Sequence, residues 1–167
     1  MGGKDMHITV YHGGTNKITS PLSGAGRDNL DFGKGFYITD IRQQAVDWAH
    51  RTADRRHLAP MLNVYELDRV SILANYRCKV FHAYNEEWLD FIVASRLGKR
   101  PWLAYDYIEG GVADDRVVDT INLYMADLMS KDKALERLSV HQPNNQMCLL
   151  LQDIIDKHLL YYGTERL

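Results

Sequence analysis

The stretch Asp31-Phe32-Gly33-Lys34-Gly35-Phe36-Tyr37-Ile38-Thr39-Asp40, continuing through Ile41 to Ala49, restricts the fold more than any other part of the chain. Its two glycines lack the Cβ atoms that would oppose a sharp bend, and they leave room for a flat ligand to approach the backbone. Phe36 and Ile38 alternate with Tyr37 and Thr39, which predicts a short strand with one pair in a core and the other on the opposite face. Asp40 is suited to cap the helix that follows, because its carboxylate can accept from a first-turn N–H. Ile41, Ala45, Trp48 and Ala49 recur on one face of a helix predicted over 41–53. Bend, strand and helix in this order put Tyr37 and Trp48 where both can flank one pocket.

Elsewhere the pattern switches repeatedly between the two periodicities. His7 to Tyr11 predicts a strand ending in a turn at His12-Gly13-Gly14, and residues 15–31 hold turn formers without periodicity, hence a loop. A loop of that length inside a compact domain usually carries function. Met61 to Leu67 alternates as a strand, and 79–84 reads as extended. Asn85 caps a helix over 86–97, with Glu86 and Glu87 placed to suit the helix dipole and Gly98 to stop it. Trp102 to Ile108 predicts a strand, Asp114 the cap of a helix over 115–129, and Ser130 the start of a helix through 138. A buried strand over 147–151, a helix over 153–159 and a last strand at Tyr161-Tyr162 complete the chain. No regular βαβ rhythm runs through these elements. They predict an α+β fold, a single domain over 1–167 in which two small, mostly antiparallel sheets form a split sandwich among helices.

At 167 residues, with 46% hydrophobic and 25% charged residues, the chain can bury a real core and does not have the composition of a disordered one. A net charge of −2 argues against a general nucleic-acid surface; the local basic cluster Arg51, Arg55, Arg56 and His57 reads most simply as a solvated helix end. Cys78 and Cys148 form no disulfide framework, so free thiols in a reducing cytoplasm are expected, and no leader or membrane-spanning run is evident. Gly24-Ala25-Gly26-Arg27-Asp28-Asn29 lacks the third glycine of a dinucleotide fingerprint, and Gly33-Lys34-Gly35 lacks the spacing of a phosphate loop. The seven histidines include no metal-ligand spacing, so no metal is expected.

Phe32-Gly33-Lys34-Gly35-Phe36-Tyr37, with Asp40 and a helix carrying Trp48, resembles the nicotinamide-pocket segment of the poly(ADP-ribose) polymerases. Tyr11-His12-Gly13-Gly14 resembles the His-Gly at the end of their first core strand. Nearly the whole length is similar to a family of short, mostly uncharacterised bacterial and phage proteins in the ADP-ribosyltransferase-like superfamily, through features at 31–40, 88–96, 112–124 and 144–149. The resemblance implies the split-sandwich fold of that superfamily. It implies NAD+ as co-substrate, with transfer of one ADP-ribose to an unidentified protein or nucleic-acid acceptor. The small stand-alone format further implies a toxin-like or phage–host conflict role, with a cognate antitoxin as partner. Its alternative is a catalytically degenerate module that binds NAD+, ADP-ribose or a protein.

The resemblance also assigns residues. His12, otherwise readable as a turn histidine satisfied by a carbonyl, would donate to a ribose hydroxyl, and Gly13 would grip the carboxamide through its N–H and C=O. Gly35, Phe36 and Tyr37 would border the base, with Tyr37 and Trp48 as stacking plates, although each aromatic alone fits a core position equally. Arg27 would meet the pyrophosphate or remain a solvated loop arginine. Two departures stand out. Ala45 occupies the place of a serine that bonds the carboxamide, a loss of about 1 kcal/mol. Gln146 occupies the place of a catalytic glutamate; it can orient the ribose 2′-hydroxyl but supplies no anion, which slows transfer by about tenfold or more. Asp31, Glu109, Asp114 and Asp115 are the acids available to compensate.

Overall fold

A computed structural model describes residues 7–26 and 30–167. Strands β1 (His7–Gly14), β3 (Met61–Asp68) and β7 (Leu159–Arg166) form an antiparallel sheet in the order β1-β3-β7. Strands β2 (Phe36–Ile38), β6 (Gln146–Leu149), β5 (Tyr107–Gly110) and β4 (Cys78–Val80) form a second sheet in the order β2-β6-β5-β4, with only β4 and β5 parallel. The helices are α1 (Arg42–Arg56), α2 (Arg69–Asn75), α3 (Glu86–Arg96), α4 (Val118–Met125), α5 (Lys131–Ser139) and α6 (Gln152–His158). The α+β reading of the sequence therefore holds, two mostly antiparallel sheets included.

Three apolar clusters hold the layers together. Val10, Phe36, Ile38, Tyr65, Leu67, Met147 and Leu149 meet between the sheets, and Ile72 of α2 with Ile154 and Ile155 of α6 close that layer. On the other face of the second sheet, Phe32, Ile108 and Cys148 pack with Trp88, Leu89 and Ile92 of α3, Ile121 of α4 and Leu138 of α5. On the outer face of the first sheet, Ala45 of α1 lies over Leu62 and Val64.

Several local expectations change. β1 does not turn at His12-Gly13-Gly14 but runs straight through it, paired with Met61 to Asn63. Asp40 does not cap α1: Thr39 Oγ1 accepts the Ile41 N–H at 3.1 Å, and the Asp40 carboxylate accepts from Asn145 Nδ2 at 3.1 Å. Residues 101–104 form a 3-10 turn that buries Trp102, so the strand expected from Trp102 starts only at Tyr107. Asp114 caps a turn through the Arg116 N–H, and α4 begins later, at Val118. Asn85 and Ser130 cap α3 and α5 through the N–H groups of Trp88 and Lys133. The last strand spans the whole of β7, and both cysteines are free. Among the described residues no helix is long and apolar enough to cross a membrane.

Candidate functional site

The two sheets touch edge to edge at a single rung. Tyr11 and Thr39 exchange both backbone hydrogen bonds, at 2.8 and 3.0 Å. In an antiparallel ladder, residues two apart point their N–H and C=O to the same side. Gly13 and Tyr37 would therefore form the next rung, but the strands part there. The His12 imidazole enters instead: its Nδ1 lies 2.7 Å from the Tyr37 carbonyl oxygen. A carbonyl only accepts, so Nδ1 carries the proton and Nε2 presents a lone pair. The N–H and C=O of Gly13 are left facing the open split, away from β3.

His12 is half-buried, with its ring stacked on Phe36 at a centroid distance of 4.6 Å. Burial lowers its pKa below the ordinary 6.5, and the bond to the Tyr37 carbonyl opposes that shift only in part. The ring is thus neutral at physiological pH, and Nε2 is an acceptor. With Nδ1 holding the proton, Nε2 can accept from a hydroxyl but not donate to one, unlike the donor role expected for His12.

Tyr11 and Gly13 turn their side-chain positions toward α1, and Tyr37 turns to the outer face of the second sheet, where it packs with Phe32 and Cys148; His12 and Phe36 turn the opposite way, toward the layer between the sheets. Gln146 alternates with the inward-facing Met147 and so shares the face of Cys148 and Tyr37. Its amide is partly exposed, and among the described residues no group pairs with it. Gln44 Nε2 donates to the Asn145 carbonyl at 2.8 Å, which fixes the flank of α1 that looks toward β2 and β6. Trp48 lies one turn further along that flank, 46% exposed, beside Arg51, Thr52 and Arg55.

The Gly13 backbone thus faces the split and Gln146 shares the sheet face of Tyr37, whereas among the described residues Trp48 lines a groove with Arg51, Thr52, Asp54 and Arg55 that includes none of His12, Gly13, Tyr37 and Gln146. Other assignments fare differently. Tyr37 is no free plate: its hydroxyl donates to the Gly33 carbonyl at 2.5 Å and accepts from the Phe32 N–H at 3.2 Å. Desolvation holds that phenol far above its ordinary pKa, so it stays neutral. Trp48 is not on the buried stripe of α1, which consists of Ala45, Ala49 and Ala53. A Cβ on Gly13 would fall 2.0 Å from the Ala45 carbonyl oxygen, and an interface that tight admits methyl groups but no indole.

Phe36 is core, packed edge-on against Tyr65. The space spared by the glycines of the bend is filled by the protein itself. Gly33 has φ +96°, and a Cβ there would lie 2.3 Å from the Trp102 indole; one on Gly35 would lie 2.7 Å from Cys148 Sγ. The flat group lying against Gly33 is a tryptophan, not a ligand. Arg27 lies outside the described residues.

Three of the four candidate acids are committed elsewhere, and the fourth, Asp115, is exposed. Glu109 is buried and bound by Arg69 Nε and Nη2 at 2.7 and 2.8 Å and by the Tyr107 hydroxyl, on the face opposite Tyr37. Asp31 pairs with Arg96 at 3.2 Å, yet burial outweighs that charge and raises its pKa. Asp114 is held by Arg116 and Asn144. Among the described residues no cluster of metal-ligating side chains is present. Sequence reasoning passed over Gln44, Thr39 and Asn145, whose side chains and carbonyl knit α1 to the mouth of the split. Their only sequence signal is a polar residue beside an alanine stripe.

A family model described as "Protein of unknown function (DUF3990)" matches residues 8–161. No curated protein and no solved structure matches the chain.

Proposed function

We propose that this chain, which belongs to the DUF3990 family, is an NAD+-dependent mono-ADP-ribosyltransferase working at the split between β1 and β2. One observation carries the reading: past the Tyr11–Thr39 rung the ladder opens, and His12 caps the Tyr37 carbonyl so that the Gly13 amide faces the opening. A carboxamide complements that backbone pair, donating to the Gly13 carbonyl and accepting from its N–H. The Tyr37 wall flanks the base, while neutral His12 Nε2 accepts a ribose hydroxyl. Gln146 donates to the 2′-hydroxyl as positive charge builds on the ribose.

The step breaks the bond between the nicotinamide nitrogen and the ribose C1′, and the electron pair leaves with nicotinamide. A nucleophile on the acceptor then bonds to C1′ and gives up its proton. With a neutral Gln146, hydrogen bonds and stacking must hold the cationic ribose without a neighbouring carboxylate, which favours single transfers over chain growth. The acceptor is a protein or a nucleic acid, and water in its place yields NAD+ hydrolysis. A toxin-like role, and a neutralising partner with it, remains part of this proposal.

The commitment of Asp31, Glu109 and Asp114 to arginines and Asn144 favours a second reading, a module that binds NAD+ or ADP-ribose without turnover. Incubation with labelled NAD+ separates the two. Release of nicotinamide that is lost in His12→Ala and Tyr37→Ala supports the enzyme, and label found on added protein, DNA or RNA names the acceptor class. Saturable binding without release supports the module, and the absence of any binding rejects both.

A further inference from the structure

Trp48, Arg51, Thr52, Asp54 and Arg55 line an open groove of about 480 Å³ along α1. With 3.6 residues per turn, Trp48, Arg51, Thr52 and Arg55 fall at i, i+3, i+4 and i+7, one stripe beside the buried alanines of that helix. The fold divides the basic cluster that the sequence offers as a solvated helix end. Arg56 turns to Thr15 Oγ1 at 3.5 Å, and His57 closes the helix in the left-handed conformation. Arg51 and Arg55 stay with the indole.

Three observations separate this stripe from an ordinary solvated face. The indole is 46% exposed, and among the described residues no ring or cation lies over it. Neither Arg51 nor Arg55 has a carboxylate partner among the described residues. Asp47 stands four residues before Arg51, the favourable spacing for an ion pair, yet it accepts from the Gln43 amide at 2.8 Å instead. The two guanidinium groups, four residues apart, also repel each other, a cost that an anionic ligand removes.

The chemistry of the groove selects that ligand. An exposed aromatic plate takes the π-face of any base, and a guanidinium fork fits phosphate oxygens. The helix rises about 6 Å from Arg51 to Arg55, close to the separation of successive phosphates along an extended strand. Asp54 borders the same groove and limits the positive run to this pair. The net charge of −2 argues against a broad nucleic-acid surface, but two phosphates need none. Bases in a duplex are stacked on one another, so an unpaired strand is the form that can use Trp48.

We propose that the α1 groove binds single-stranded nucleic acid, with one base stacked on Trp48 and consecutive phosphates held by Arg51 and Arg55. The groove shares no residue with the split and stands independently of the NAD+ reading.

Trp88 and Trp102 are buried, so quenching of tryptophan emission by a stacked base reports Trp48. A short oligothymidylate should quench it saturably. It should bind about tenfold or more tightly than thymidine monophosphate or the duplex of the same sequence. Two phosphate contacts predict a slope of about −1.4 in log K against log salt concentration. Anisotropy of a labelled oligothymidylate reads the variants, which alter exposed positions and should melt with wild type. Trp48→Leu should bind about tenfold more weakly and keep the salt slope, whereas Arg51→Gln/Arg55→Gln should lose the slope. Absence of quenching, or the monophosphate or duplex binding as tightly as the strand, overturns the proposal. So does unchanged affinity in both variants. Displacement of the strand by an equal concentration of polyglutamate also overturns it, and marks the groove as a surface for acidic protein.

Discussion

His12 is where local chemistry and function meet most directly. Its neutral imidazole has a folded-state pKa below the ordinary 6.5, so the unfolded chain binds the extra proton first as pH falls. The contribution of the neutral ring to stability is complete above about pH 6.5 and declines below it until the folded-state value is reached. His12→Gln keeps a donor for the Tyr37 carbonyl but has no titration. Its melting temperature should fall less steeply than that of wild type from about pH 7 to about pH 5, and parallel slopes would refute the assignment. Gly13 makes the second test at this scale. A methyl group there collides with the Ala45 backbone, so Gly13→Ala should destabilise by about 1–3 kcal/mol or more, measured by urea unfolding. His12 and Gly13 could be singled out only through a resemblance, since the groups that hold them, the Tyr37 carbonyl and the Ala45 backbone, come from β2 and α1. The reason for Gly33 and Gly35 could not be read from the chain either, since the groups filling their space, Trp102 and Cys148, arrive from distant sequence.

The elements follow the same logic. Caps that act through the next few residues were legible, as Asn85 and Ser130 demonstrate. Caps and starts settled by tertiary partners were not. Asp40 has the right type for the start of α1 but is drawn away by Asn145, and the helix starts without a side-chain cap, Thr39 holding only the N–H of Ile41 just before it. Thr39 is buried, and its hydroxyl makes two hydrogen bonds, to the Ile41 N–H and the Asn145 carbonyl. Thr39→Ala should therefore cost about 1–2 kcal/mol, whereas exposed Asp40→Ala should stay within about 0.5 kcal/mol of wild type. Equal losses in chemical denaturation would restore Asp40 as the cap. Trp48 illustrates the opposite error: its spacing on α1 is correct for a buried stripe, but the absence of a side chain on Gly13 lets the helix settle on alanines alone. The indole is left half-exposed beside Arg51, Thr52, Asp54 and Arg55.

At the scale of the molecule, a cleft between two sheets requires that they be held together elsewhere, because the Tyr11–Thr39 rung is a narrow joint. The interlayer cluster supplies most of that cohesion, and Arg69 and Glu109 add a polar bolt through it. Arg69 opens α2, directly after β3 of the first sheet, and Glu109 lies on β5 of the second, with the Tyr107 hydroxyl on the same carboxylate. The pair was invisible in the sequence, where 40 residues separate its members and Glu109 looked like a free acid. A buried ion pair adds little over well-packed apolar groups, yet removing one member strands the other. Arg69→Met should therefore cost about 3–5 kcal/mol by leaving the Glu109 carboxylate uncompensated. The double variant Arg69→Met/Glu109→Leu should recover most of that loss, and calorimetric unfolding of both reads the difference. The same double variant has an intact Gly13, His12 and Tyr37, so NAD+-dependent nicotinamide release should persist once the fold is recovered. Recovery of stability without activity would mean that Glu109 serves the reaction after all, and that the charge missing at Gln146 is supplied from the opposite face of the sheet.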